Sequence, residues 1–346
     1  MLLCILSFFV SGCASVPVLA PTSDIYWPTE GWRTSTPEEQ GMDAQKLTEM
    51  LDVIRERDIN IHSFLVIRNG YLVSETYFKG YQPDQKHDLQ SVGRSFTATL
   101  IGIAIDKGYI KGTDQRIVDF FPERTVANLN TQKQAMTLED LLTMRTGFQW
   151  QEMEGAFESM QKSPDWTQYV LDMPMAEQPG SRWNYCSICS HILSAILHET
   201  TGMNPRDFAE QYLFEPLGIA NVIWMKDPAG IPLGAGGFQL TPRDMAKLGY
   251  LYLRHGEWDG HQIVSPEWVE TSTQSHVDVT MNEHFGYGYH WITVTSMDGY
   301  AASGGGGQII LTVPKYDLVI VTTGWTEESI FELIEQYVLP AVENSE

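Results

Sequence analysis

Cysteine is scarce, basic residues are outnumbered, and the body of the chain has no apolar run long enough to cross a bilayer. Each shortage removes a class of function. Four cysteines in 346 residues cannot build a disulfide-held scaffold, and two of them, Cys4 and Cys13, fall at the extreme N-terminus. The other two form a Cys186-x-x-Cys189 pair, open between redox chemistry and a packed or disulfide-bonded scaffold element. Lys and Arg total 22 against 44 Asp and Glu, for a net charge of −22. That surface repels phosphate backbones and anionic lipid, so nucleic acid is excluded as a main partner. The nine histidines show no short spacing to one another, to acids or to cysteine that would hold a metal. The Gly304–Gly307 run lacks the spacing and following helix of a dinucleotide or P-loop fingerprint, so no nucleotide cofactor is expected.

What is present is apolar and aromatic. Hydrophobic residues make up 43% of the chain, with ten tryptophans, enough for a large core of one or two packed units. Residues Met1 to Gly12 carry no charge and hold a run from Leu2 to Val10, too short to span a membrane and placed where an export signal sits. Val10-Ser11-Gly12-Cys13 resembles the lipobox of bacterial lipoproteins. The resemblance implies a signal peptide over 1–12, lipidation at Cys13, and a mature chain anchored in the cell envelope facing the periplasm. Residues 13–35, rich in Pro, Thr and Ser, suit a tether.

From there the hydrophobic period changes along the chain. Leu47, Leu51 and Ile54 recur at helical spacing. Ile61–Arg68 and Tyr71–Phe78 are strand-like runs joined by Asn69-Gly70, a strong hairpin signal. Helices are expected from near Ser91 to Gly108, from Thr137 toward Gly147, from about Cys186 to Thr200, from Pro205 to Leu213, and after Thr241-Pro242. Gln151 to Glu177 is polar and Met-rich, a candidate flap or rim. Strand character returns at Tyr287–Thr295, Gln308–Val313 and Leu318–Thr323, with Thr326 capping a last helix. The order predicts an α/β (α+β) fold spanning 36–346: an antiparallel sheet from about 36–85 and 285–346, flanked by helices, with a mainly helical lobe inserted over about 90–280.

The chemistry-bearing candidates lie at the edges of these elements. In Gln90-Ser91-Val92-Gly93-Arg94, Ser91 stands at a helix start, where N–H groups and the helix field favour an oxyanion. Residue 94 shares its helix face. The plain alternative is an N-cap serine with a surface arginine.

The run Ser91 through Gly108 resembles the nucleophile helix of the serine beta-lactamase and penicillin-binding-protein superfamily, nearest to class C-like esterases and 6-aminohexanoate-dimer-type amide hydrolases. Those proteins carry Ser-x-x-Lys there; this chain has Arg94 in the lysine position. Trp183-Asn184-Tyr185-Cys186-Ser187 resembles the family's Tyr-x-Asn or Tyr-x-Ser element. That implies Tyr185 as proton carrier, Ser187 as a hydrogen-bonding partner, and the two cysteines as scaffold. Ala302-Ser303-Gly304-Gly305 resembles the Gly-rich strand where relatives carry Lys-Thr-Gly or His-x-Gly. Gly304 and Gly305 would then supply oxyanion backbone with the Ser91 N–H, while Ala302 stands in the Lys or His position. Met136–Gly147, Gly236–Ala246 and Phe285–Trp291 resemble further family segments.

The literal Ser159-x-x-Lys162 match sits in the polar stretch, out of order with Tyr185, and is set aside. The resemblance implies a beta-lactamase/transpeptidase-like fold and a serine hydrolase acting through an acyl-enzyme on a small-molecule ester or amide, carboxylesterase-like and weakened by Arg94, with no cofactor and no metal. The competing expectation is a catalytically impaired envelope protein that keeps the fold for binding or structure.

Overall fold

The computed structural model describes residues 25–152, 155–278 and 285–343. The leader, Cys13 and the first part of the tether lie outside them. Among the described residues the main sheet has eight strands: β1 Ile61–Arg68, β2 Tyr71–Tyr77, β3 Val277–Asp278, β4 Phe285–Tyr287, β5 Ile292–Val294, β6 Gly299–Gly304, β7 Gln308–Val313 and β8 Leu318–Gly324. Their order is β2-β1-β8-β7-β6-β5-β4-β3, and the pairings are antiparallel. The sheet is therefore closed in the middle by the first and last strands of the chain, β1 against β8, from Ile61 opposite Gly324 to Arg68 opposite Leu318. Asn69 and Gly70 both take positive φ, 53° and 77°, the primed turn that matches the twist of the β1–β2 hairpin.

Period-two alternation sends the two faces of the sheet to different cores. Phe64, Val66, Ile309, Leu311 and Ile320 face the terminal layer. That layer consists of α1 (Ala44–Glu56) and a C-terminal run of α-helix Ile330–Leu333, π-turn Ile334–Val338 and α-helix Leu339–Glu343. Leu65, Ile67, Ala302, Ile310 and Val321 face the lobe. There α2 (Gly93–Asp106), α3 (His191–Thr201) and α4 (Pro242–Leu253) carry the larger core. Thr241 caps α4 by accepting from the Asp244 N–H, with Pro242 in the first turn. Every residue of α2 from Gly93 to Ala104 is buried. It is a central helix without a wet face, which explains why its apolar periodicity is weak.

Several local expectations shift. The lobe also holds a small sheet of His87–Asp88, Phe238–Leu240 and Ile223–Trp224. Thr137 and Asp140 do form a capping box, but the helix is only Leu138–Leu142 and is followed by Met144 at φ 57°. The polar stretch contains helices Ala156–Gln161 and Trp166–Leu171. Tyr287–Thr295 is two strands, broken where His290 takes φ 58°. The last helix is capped by Ser329, which accepts from the Glu332 N–H; Thr326 instead accepts from the Glu328 N–H.

Candidate active site

Ser91 lies in a 3-10 turn, Gln90–Val92, that runs directly into α2. The turn is entered through Gln90 at φ 50°, a left-handed conformation that a glutamine adopts only when its surroundings impose it. Asp88 accepts the Gln90 N–H at 2.9 Å. The close packing of Gly236 completes the constraint, since a Cβ there would lie 2.6 Å from the Gln90 carbonyl oxygen.

Tyr185 reaches Ser91 from the loop before α3. Its hydroxyl and the Ser91 Oγ are 3.0 Å apart, with either able to donate. The loop is held on both sides of the tyrosine. Asn184 donates from its backbone to the Met144 carbonyl (2.8 Å) and from its side chain to the Trp150 carbonyl (3.0 Å). Immediately after it, Cys186 and Cys189 form a disulfide buried in the lobe core. The disulfide, with the 3-10 turn Ile188–Ser190, delays the start of α3 to His191.

Arg94 is only 4% exposed, with its guanidinium carbon 4.4 Å from the centre of the Tyr185 ring. Burial works against its charge, but the Tyr185 and Tyr287 oxygens and Glu152 outweigh burial and hold the group above its usual value. Its Nη1 has no hydrogen-bond partner.

Behind Arg94 stand two groups that sequence reasoning passed over. The Tyr287 hydroxyl is 3.2 Å from His290 Nδ1, and His290 Nε2 is 3.3 Å from the Ser190 hydroxyl. Burial, reinforced by the Arg94 charge, drives the His290 pKa well below the ordinary imidazole value; burial pushes the Tyr287 hydroxyl up. Both are neutral near pH 7. The available signal was Gly288, because a glycine inside a strand pattern marks a bulge or a close approach. The break it permits turns His290 inward.

On the other side of Ser91, β6 ends at Gly304. A Cβ on Gly304 would sit 2.6 Å from the Leu89 carbonyl and 2.9 Å from the Ser91 nitrogen, so glycine is required for the strand to approach the serine backbone this closely. Gly305 has open space above it. Gln308, buried at the start of β7, donates from its side chain to the carbonyls of Gly305 (3.5 Å) and Gly324.

Two cavities meet at Ser91 and Tyr185. An inner one of about 270 Å³ is bounded by Arg94, Tyr287, His290, Ile292, Ser303, Gly304 and Gly305. An outer one of about 330 Å³ includes Asp88, Glu152, Phe157, Ser187, Met225 and Gly237. Ser187 lies on this outer rim, donating its N–H and hydroxyl to the two oxygens of Glu152 (3.0 and 2.6 Å). Ser159 lines neither cavity; its hydroxyl donates back to the Gly155 carbonyl. Among the described residues no cluster of three or more His, Cys, Asp or Glu could hold a metal ion.

The beta-lactamase family model matches residues 40–332. The chain belongs to the beta-lactamase family. Within that family it is 24% identical over 309 residues to the 6-aminohexanoate-dimer hydrolase of Paenarthrobacter ureafaciens, covering 83% of this chain and 79% of that protein. Among solved structures it superposes with a TM-score of 0.73 on a Bacillus anthracis protein designated a 6-aminohexanoate-dimer hydrolase, at 20% identity over 91% of this chain and 87% of that one. A family VIII carboxylesterase gives 0.70 at 15% identity, covering 89% and 98%. At these identities the superpositions speak for the fold. As a beta-lactamase-family chain it has serine-hydrolase-type relatives that include esterases and amide hydrolases, with Arg94 and Ala302 where the family resemblance leads one to expect basic side chains.

Proposed function

We propose that this protein is a serine hydrolase that opens ester or amide carbonyls through an acyl-enzyme on Ser91. The observation that carries the proposal is the 3.0 Å contact between the Ser91 Oγ and the Tyr185 hydroxyl, placed where two cavities meet. In this mechanism Tyr185, as the phenolate, takes the Ser91 proton as the oxygen attacks the carbonyl carbon, and returns it to the leaving group. Main-chain N–H groups of Ser91 and the Gly304–Gly305 turn receive the developing oxyanion. Water then releases the acid. Arg94 cannot serve as base, because a guanidinium keeps its proton in proteins. Its charge can balance the Tyr185 phenolate that accepts the Ser91 proton. Proton transfer therefore rests on Tyr185 alone, and turnover is slow. Activated short-chain esters are the expected substrates, with beta-lactams poor ones.

The retained alternative is a binding or structural protein that has lost turnover, favoured by Arg94 and by Ala302 on the strand beside Ser91. Incubation with an activated ester and a beta-lactam, followed by intact-mass and peptide mapping, separates the two. A Ser91 adduct or ester turnover supports the hydrolase; neither, across broad probes, rejects it. Arg94→Lys run in parallel reports whether proton transfer is the slow element.

We also propose that the protein is lipid-anchored through Cys13 on the periplasmic side of a bacterial envelope. The Cys186–Cys189 disulfide supports an oxidising compartment. Among the described residues no helix is long and apolar enough to cross a membrane. Mass analysis of the N-terminal peptide in wild type and Cys13→Ser tests the anchor.

A further inference from the structure

We propose that the inner cavity beside Ser91 is an anion site that takes a short monocarboxylate, with the Arg94 guanidinium as its charge partner. The site stands on the cavity itself. That its natural occupant is the acid released by hydrolysis rests on the functional reading above.

Arg94 is a permanent cation that is almost wholly buried and has no ion-pair partner among the described residues, with Nη1 unsatisfied. Three arginines that are partly buried are each paired with a carboxylate: Arg124 with Asp165, Arg145 with Glu139 and Arg254 with Asp317. A buried charge without a counter-ion is costly and is kept where something else completes it. Its neighbours do not. Tyr185 meets the guanidinium with its ring face and its oxygen but is no carboxylate, and Tyr287 and His290 are neutral near pH 7. Glu152 contributes to the field, but its oxygens are engaged by Ser187 and Trp150.

The distribution of acids points the same way. No acidic residue lines the inner cavity, whereas Asp88 and Glu152 line the outer one. An anion is therefore disfavoured on the Asp88 and Glu152 side and favoured beside Arg94. At about 270 Å³, the inner cavity has the volume of roughly nine waters, enough for a carboxylate and a few carbons. Ile292 gives the alkyl portion an apolar wall, and Ser303 adds a hydroxyl. One carboxylate oxygen would face Arg94 and the other the Ser91 and Tyr185 hydroxyls. A hydrolase with this site holds its own product acid, and butyrate would slow acylation by occupying the place of the incoming acyl group.

The test uses full-length protein, wild type and Ser91→Ala, titrated with butyrate and with butyramide by calorimetry. Butyrate is expected to bind at least tenfold more tightly than its uncharged isostere in both, since charge-assisted hydrogen bonds exceed neutral ones by about that factor. It should also compete with labelling of Ser91 by an activated ester. Arg94→Gln, checked for folding by thermal melt, should lose the discrimination. Equal affinity for butyrate and butyramide in wild type, which needs no variant, overturns the proposal, as does undiminished butyrate selectivity in folded Arg94→Gln. Charge-selective binding with neither ester turnover nor Ser91 labelling would leave the anion site standing and sink the hydrolase reading. Turnover without charge selectivity would do the reverse.

Discussion

Replacing Gly304 by alanine tests the proposed oxyanion geometry with a perturbation whose size can be taken from the structure. The new Cβ would lie 2.6 Å from the Leu89 carbonyl and 2.9 Å from the Ser91 nitrogen, and ordinary contact begins near 3.4 Å. Both obstacles are backbone, so neither can rotate away. The end of β6 and the Ser91 turn must separate by roughly 0.5–0.8 Å to restore normal contact distances. A displacement approaching 1 Å between donors and reacting carbonyl costs on the order of 100-fold in rate. Strain of this kind removes about 1–3 kcal/mol of stability. Gly305→Ala is the matched control, because a Cβ there meets nothing within 4 Å and the N–H remains. The assay is the rate of Ser91 acylation by an activated ester, followed by intact mass well below the melting temperature of each variant. The expected result is about a 100-fold loss for Gly304→Ala and near wild-type rate for Gly305→Ala. Equal rates in all three folded proteins would refute the claim that this close approach forms the oxyanion pocket.

Tyr185→Phe removes the hydroxyl 3.0 Å from Ser91 and should lower acylation by roughly 10²–10⁴-fold with the melting temperature nearly unchanged; a loss under threefold would argue against Tyr185 as proton carrier. Ser91→Ala should abolish labelling while Ser159→Ala, whose residue lines neither cavity, leaves it intact, and the opposite pattern would move the nucleophile. Stability should fall as pH drops from about 6.5 toward 4. Burial, with His62 nearby, lowers His87 to about 4, so over this window the unfolded chain binds the proton that the folded chain refuses. At pH 5 the His87 contribution is about 2 kcal/mol of lost stability. Urea titrations at pH 7 and pH 5, in wild type and in His87→Gln, check it; an identical pH dependence in the two proteins would remove His87 as the cause.

The parts of the fold legible in the sequence were those fixed by local chemistry. Asn69-Gly70 needs positive φ at both positions and has it, and Thr241-Pro242 starts a helix because cap and proline both favour that start. Legibility failed where distant chain overrides local preference. Tyr287–Thr295 has strand composition throughout, yet the His290 N–H is drawn to the Leu142 carbonyl and the strand breaks. The Ser91 and Tyr185 pairing was readable only through resemblance, because no local spacing links residues 94 apart. His290 escaped because its role depends on that break, and Ser187 was assigned a partner before Glu152 could be seen to hold it. That Arg94 has no ion-pair partner among the described residues is likewise a property of packing.

The joining of β1 to β8 has a consequence for how the protein comes into being. A ribosome delivers Ser91 and its helix early, but the glycine edge that approaches the serine backbone arrives some two hundred residues later, and the strand that locks it into the sheet, Leu318–Gly324, later still. Until then β1 presents an open edge where its closing partner will dock. A growing chain thus carries Ser91 without the Gly304 edge, and the close approach of the two forms in one late event, once Leu318–Gly324 has joined the sheet.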